Sequence, residues 1–156
     1  DRASLRLPVI GEVLQQVALA RFSRTFSTLI RAGVPILGAL DIVADTSGNR
    51  AIARAVRACS SSVQSGNSLA EPLSRSSLFP PMVSRMVGIG ERTGSLEALL
   101  EKIGEFYEGR VRATVSSLTS LIEPILIAVM GVLVGGVVLA VFLPILDIVG
   151  ELGASG

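Results

Sequence analysis

The longest uncharged stretch of the chain constrains its fold more than any other feature. From Pro124 to Leu146, 23 consecutive residues carry no charged and no polar side chain. At 1.5 Å per residue, a helix of this length reaches about 35 Å, enough to cross a hydrocarbon core of about 30 Å with some tilt. Leu, Ile, Val and Phe each favour insertion by a few tenths of a kcal/mol. The segment therefore predicts one transmembrane helix.

Basic residues are confined to the part of the chain before this span. All 14 Lys and Arg lie at or before Arg112, so that residues 1–117 carry a net charge of +4 and the remainder −3. Because positive charge is retained in the cytoplasm, we expect the body on the cytoplasmic side and the tail on the other side of the membrane. The predicted organisation is an N-terminal linker, a cytoplasmic helical bundle, the transmembrane helix and a short non-cytoplasmic tail, over 1–11, 12–123, 124–146 and 147–156.

Apolar residues recur at three- and four-residue steps through the body, which predicts helices throughout. Gly33 ends the first helix, and Pro35 opens the second; Pro124 marks the entry to the span. The six predicted helices cover about 12–32, 35–46, 49–64, a short fourth helix after 68, 81–93 and 95 onward. The predicted fold is all-α, a six-helix antiparallel bundle whose long last helix leads into one C-terminal transmembrane helix.

Two local motifs make sharper predictions about helix ends. Ser68-Leu-Ala-Glu71 has the spacing of a capping box, with Ser68 at N-cap and Glu71 at N3 of the fourth helix. Gly94 is expected in the left-handed conformation that ends the fifth helix. That turn should bring Met82, Met86 and Ile89 of the fifth helix against the sixth.

Composition removes several classes of function. The chain has no His, which excludes histidine-based nucleophile pairs and zinc sites of the HExxH type. Its only Lys, Lys102, lies outside any phosphate-binding loop, and its only Cys, Cys59, is interpreted as a small structural residue. With five Phe, one Tyr and no Trp, base-stacking platforms for nucleic acid are not expected. We predict no catalytic, cofactor or metal residues.

An acidic ridge leaves three interpretations open. Glu97, Glu101, Glu105 and Glu108 follow one another at helical spacing. Like charges four residues apart cost a few tenths of a kcal/mol each, so the ridge does not stabilise its own helix. It fits a solvated face, a partner surface or a divalent-cation site.

Spaced motifs along nearly the whole chain resemble one protein family. They are Arg21-Phe-Ser-Arg-Thr-Phe-Ser-Thr-Leu-Ile-Arg-Ala-Gly-Val-Pro35, Gly66-Asn-Ser-Leu-Ala70, Phe79-Pro-Pro-Met82, Gly90-Glu-Arg-Thr-Gly94-Ser-Leu, Phe106-Tyr-Glu108 and Glu123-Pro124. In this order they are similar to the type II secretion F domain of the GspF/PilC inner-membrane platform proteins. The resemblance covers the second of two such cytoplasmic domains together with the last membrane span.

The resemblance implies a non-enzymatic platform in a type IV pilus or type II secretion machine. Its implied partners are a hexameric assembly ATPase, pilin or pseudopilin subunits, other inner-membrane components, lipid and further copies of itself. The charged corner at Glu91, Arg92 and Glu97 is the candidate docking surface for the ATPase. Gly131, Gly135 and Gly136 form small-residue spacings on which another membrane helix can pack.

A rival interpretation is a tail-anchored membrane enzyme or regulator with a helical cytoplasmic domain. Without His, its titratable groups would be carboxylates such as Asp41 and Asp45. A transporter fragment is a third possibility, which the fully apolar span disfavours because transport uses polar groups at membrane depth.

Overall fold

The computed structural model describes residues 6–154 of the chain, with side chains from 10 to 153. Within this range the regular secondary structure consists of α-helices and includes no β-strand, which confirms the all-α prediction. The six helices are α1 Arg6–Arg31, α2 Ile36–Thr46, α3 Arg50–Gln64, α4 Ala70–Arg75, α5 Pro81–Thr93 and α6 Leu96–Ala154. The chain divides into two compact units, one ending at Thr114 and one beginning at Val115.

One hydrophobic core holds the first unit together and takes side chains from all six helices. At its centre Phe22 and Phe26 of α1 lie with ring centroids 5.8 Å apart, and Phe79 approaches Phe22 edge-on at 5.2 Å. Around these rings pack fully buried aliphatic side chains, among them Leu40, Val43, Ile52, Val56, Leu73, Val83, Val87, Leu100 and Ile103. Aromatic side chains bury the largest areas per residue, so this cluster is the main source of burial energy.

The helix ends follow the glycine and proline positions in the sequence. Gly33 has a φ of +83° after α1, and Pro35 immediately precedes α2, as predicted. Asn49 caps α3, because its side-chain oxygen accepts the N–H groups of Ala51 at 2.8 Å and Ile52 at 3.3 Å. These ends differ from the prediction mainly at the start of α1, which already includes residues 6–11 of the predicted linker.

The corner between α5 and α6 brings two stretches of backbone close together. Gly94 adopts the left-handed conformation with a φ of +70°, which confirms its predicted place at the end of α5. The chain then turns back so tightly that a Cβ on Gly90 would lie 2.8 Å from the Cα of Leu96. Only hydrogen fits at that position, so Gly90 is itself a core residue.

The buried face of α5 differs from the predicted one. Met82 and Ile89 are 36% and 45% exposed and do not belong to the buried face, whereas Met86 packs against the core. The buried residues are instead Val83, Ser84, Val87 and Gly90. Both sets have helical spacing and are offset by one residue, a rotation of about 100°. The close contact at Gly90 selects the observed face.

Helix α6 contains the predicted span without a break. It is the helix, among the described residues, that is long and apolar enough to cross a membrane. Pro124 and Pro144 both lie inside it, so Pro124 does not begin a new helix and the helix continues past Pro144. Proline in a membrane helix is tolerated where local adjustments satisfy the freed backbone carbonyl.

The tight corner predicts opposite effects for two Gly→Ala substitutions. Alanine gains about 1 kcal/mol over glycine in a helix interior. In Gly109→Ala nothing lies within 4 Å of the new Cβ, so we expect higher stability. In Gly90→Ala the new methyl group meets the Leu96 backbone, and overpacking of this kind costs about 1–3 kcal/mol.

Thermal unfolding of the full chain in detergent, followed by circular dichroism, measures both variants. We expect the Tm of Gly90→Ala to fall by several degrees while that of Gly109→Ala stays level or rises. Equal shifts in the two variants would contradict the close contact.

Candidate interaction surfaces

The carboxylate of Glu91 reaches from α5 to the beginning of α4. It accepts the backbone N–H of Leu69 at 2.7 Å and that of Ala70 at 3.3 Å, and the Ser68 hydroxyl donates to it at 2.6 Å. The first N–H groups of a helix have no acceptor within the helix, and a negative charge there complements the helix dipole. Glu91 therefore caps a six-residue helix that has few internal hydrogen bonds of its own.

This contact corrects the predicted capping box. The N-cap position of α4 is Leu69, not Ser68, although the Ser68 hydroxyl does accept the N–H of Ala70 at 3.1 Å. Glu71 does not reach back to the cap; its carboxylate binds Arg75 one turn later, at 2.5 Å. A carboxylate from a neighbouring helix occupies the place that a capping box would give to Glu71.

The charged docking corner was predicted at Glu91, Arg92 and Glu97. Glu91 takes part in the cap on α4, whereas the charged groups of Arg92 and Glu97 do not. Arg92 is exposed in the last turn of α5 and forms no ion pair with another described residue. Glu97 is half-buried in the first turn of α6, and its backbone carbonyl accepts the Ser27 hydroxyl at 2.8 Å. The open charges of the corner are therefore those of Arg92 and Glu97.

The acidic ridge on α6 is partly neutralised by α1. Arg24 binds Glu108 with two hydrogen bonds, from Nε at 3.0 Å and Nη2 at 2.9 Å, and lies 3.8 Å from Glu101. Arg31 also pairs with Glu101. The hydrogen bond from Arg24 lowers the pKa of Glu108 below its ordinary value, and the same bond raises the pKa of Arg24.

The ion pairs show that part of the ridge faces α1 and part faces outward. Two of its four carboxylates bind α1, while Glu105 is exposed. Among the described residues no group of three or more Cys, Asp or Glu side chains is arranged to hold a metal ion. The sequence prediction had not singled out Arg24, although it lies within the first family motif. Its pairing partner is 84 residues away, beyond the reach of any local spacing rule.

Cys59 has the structural role expected of it. Its side chain is fully buried in the core, and its thiol lies 3.8 Å from the carbonyl oxygen of Leu69. Burial raises the pKa of the thiol to about 12. A thiol with that pKa is protonated at neutral pH and is a poor nucleophile.

The predicted glycine face lies in the second unit. Gly131, Gly135 and Gly136 belong to the uninterrupted part of α6 between its two prolines. A Cβ at any of the three would meet nothing within 4 Å, so the surface at these positions is open. Small residues four apart let a second helix backbone approach closely in a membrane.

Comparison with known proteins decides which family these features belong to. Residues 22–144 match the family described as type II secretion system (T2SS), protein F. The chain belongs to this family. That match covers both the helical body and most of the apolar span, and it confirms the resemblance drawn from the motifs.

Members of the type II secretion system protein F family from both kinds of machine are similar to this chain. A type IV pilus assembly protein PilC of Myxococcus xanthus is 43% identical over 152 residues, which are 97% of this chain and 36% of that protein. PilC of Thermus thermophilus is 46% identical over 156 residues, 99% of this chain and 38% of the relative. A type II secretion system protein F of Pseudomonas aeruginosa is 36% identical over 144 residues, 92% and 36% of the two chains. The chain thus spans about two-fifths or less of the length of these relatives.

The cap on α4 predicts that Glu91 is a stability residue in this family member. Glu91→Arg removes the acceptor for two backbone N–H groups and places a cation at the positive end of a helix. Loss of a cap or of a buried hydrogen-bond partner costs about 1–3 kcal/mol. We therefore expect a clear fall in Tm, and a smaller fall for Glu91→Gln, which keeps one acceptor oxygen.

Asp41→Arg is the matched control, because Asp41 is an exposed acid on α2. Reversing its charge should leave the Tm within about a degree, in keeping with surface substitutions generally. If Glu91→Arg and Asp41→Arg unfold at the same temperature, the cap does not stabilise the body.

Proposed function

We propose that this chain is part of a non-enzymatic inner-membrane platform that couples a cytoplasmic assembly ATPase to the addition of pilin or pseudopilin subunits. The observation that carries the proposal is identity of 43% and 46% to two type IV pilus assembly proteins over nearly the whole chain. A helical body continuous with an apolar helix suits a part that links a soluble motor to subunits held in a membrane. The type IV pilus relatives favour the pilus machine over the secretion machine.

The chemistry of the chain supports a scaffold rather than the rival tail-anchored enzyme or regulator. The sequence has no His, and Cys59 is buried with a raised pKa. Of the two carboxylates that the rival would use, Asp45 forms an ion pair with Arg57 at 3.2 Å, and Asp41 is exposed on the same helix. Catalysis needs titratable groups that converge in a cleft, and these two carboxylates offer no such arrangement.

We place the body in the cytoplasm and the tail on the outer side of the inner membrane. Support comes from the basic residues, all of which precede the span. Arg110 and Arg112 lie within about 15 residues of its start, the range over which basic residues set the orientation of a span.

Thiol labelling tests this orientation directly. Cys59 is buried and protonated, so a Ser155→Cys variant adds the reactive thiol without removal of the native one. In intact spheroplasts we expect a membrane-impermeant maleimide to label Ser155→Cys. Ala58→Cys, at an exposed position of the body, should react only after lysis. The opposite pattern would reverse the topology.

The platform uses two separate contact surfaces in this proposal. The corner at Arg92 and Glu97 meets the hexameric ATPase, since its charges are open while Glu91 is occupied by the cap. The face at Gly131, Gly135 and Gly136 meets membrane helices of pilin, of other inner-membrane components or of a second copy. Lipid surrounds the rest of the span.

Charge and size changes separate the two surfaces. We expect Arg92→Glu together with Glu97→Arg to reduce pilus assembly in a deletion background, while the protein stays folded and inserted in the membrane. Gly135→Leu should instead weaken crosslinking to neighbouring membrane helices, because the larger side chain holds a second backbone away. Val134→Leu, at an exposed neighbouring position, is the control for added bulk. Normal assembly with the paired charge variant, and unchanged crosslinking in Gly135→Leu, would show that both surfaces are wrongly assigned.

A further inference from the structure

An open cleft of the first unit lies where α2 meets α3. It has a volume of about 520 Å³, and its lining includes Arg50, Arg54 and Arg57 of α3 together with Asp45 of α2. The three arginines are exposed and lie at positions i, i+4 and i+7 of one helix, so they share a single face. They form a row about 10.5 Å long, which we name the arginine row.

Helix stability does not explain the arginine row. Helix α3 contains three arginines and no acid, so each like-charged neighbour three or four residues away is repulsive. Arg50 lies in the first turn, where the helix dipole favours negative rather than positive side chains. Arg50 and Arg54 form no ion pair with any other described residue. Of the three arginines only Arg57 has a counterion within the body, Asp45, so the positive charge of Arg50 and Arg54 is left without one.

The same cleft contains one example of a contact that an arginine of the row makes with a carboxylate. Asp45 places a carboxylate oxygen 3.2 Å from Nη2 of Arg57, at one end of the row. Guanidinium groups bind carboxylates through paired N–H donors, which gives the contact direction as well as charge. Arg54 and Arg50 offer the same donors about one and two turns nearer the start of the helix.

We propose that the arginine row docks an acidic helix of a partner protein whose carboxylates are spaced at i, i+4 and i+7. The regular spacing matches the acids on one face of a second helix. The cleft is lined by small residues such as Ala44, Gly48 and Ala53 and has no large apolar side chain that would insert into a bilayer. A continuous anionic membrane would also meet Asp45, whereas a helix of set spacing meets the guanidinium groups in register. This surface is distinct from the corner at Arg92 and Glu97, and the inference does not depend on the platform function.

A synthetic helix provides the probe. A labelled peptide of about 18 residues, long enough to be helical, carries three Glu at i, i+4 and i+7. A control peptide of the same composition carries them at i, i+2 and i+5, which spreads them around the helix. Fluorescence anisotropy against the full chain in nanodiscs of zwitterionic lipid should give about tenfold tighter binding for the first peptide, with strong weakening by salt.

Charge reversal then tests the residues. Arg50→Glu with Arg54→Glu should weaken binding of the first peptide about tenfold or more, and a peptide with Lys in place of the three Glu should now bind this variant. Arg85→Glu, an exposed arginine on α5, should bind as the unmodified chain does. Circular dichroism checks that the double variant keeps its Tm, as acids in the first turns of a helix should allow.

Two results would overturn the proposal. Equal affinity for both Glu peptides would mean that the contact is unspecific charge attraction, and no effect of the double variant would mean that the peptide binds elsewhere. Binding to vesicles containing phosphatidylglycerol that depends on Arg50 and Arg54, without preference between the peptides, would assign the row to a lipid surface instead.

Discussion

The packing of the body depends on the close approach of two backbones at the α5–α6 corner. Because Gly90 has no side chain, α6 can begin with Leu96 directly against it, and the turn at Gly94 brings the chain around. This contact fixes the rotation of α5, which buries Val83 and Val87. The same rotation directs Glu91 toward α4, where its carboxylate holds the first N–H groups of that helix. One steric constraint thus positions three helices.

Ion pairs and helix caps add contacts between the helices that the hydrophobic core holds together. The core is shared by all six helices, but α1 is also joined to α6 through Arg24 and Glu108 across the outer surface. Exposed pairs of this kind contribute little stability each, so their main effect is to set the orientation of the two helices. Among the described charges that remain without such partners are those of Arg92, Arg50 and Arg54.

Local features of the sequence predicted most of the fold. Glycine and proline affect the backbone conformation of themselves and of their nearest neighbours. The helix ends at Gly33, Pro35 and Gly94 could therefore be predicted directly from the sequence. The length and apolarity of the span likewise depend on nothing outside it. The family could be recognised from motifs spread over the chain. The candidate interaction surfaces stay predictions, because they were inferred from charge and residue size and not from a contact with a partner.

Contacts between distant residues could not be predicted in the same way. Glu91 and Leu69 are 22 residues apart and Arg24 and Glu108 are 84 apart, so no helical spacing rule relates them. The capping box was wrongly predicted because Glu71 has the right spacing in the sequence. The carboxylate that accepts the N–H groups at the start of α4 belongs to Glu91, on a different helix. The predicted buried face of α5 differs from the observed one because the prediction considered only the spacing of apolar side chains. It took no account of Gly90, whose backbone lies directly against that of Leu96.

Hydrogen exchange at the start of α4 tests this account most directly. The amides of Leu69 and Ala70 donate to Glu91 and are expected to exchange slowly in the unmodified chain. In Glu91→Gln their protection should fall, while amides in the middle of α3 keep theirs. Unchanged protection at Leu69 and Ala70 in that variant would contradict the claim that the α5–α6 corner holds α4 in place.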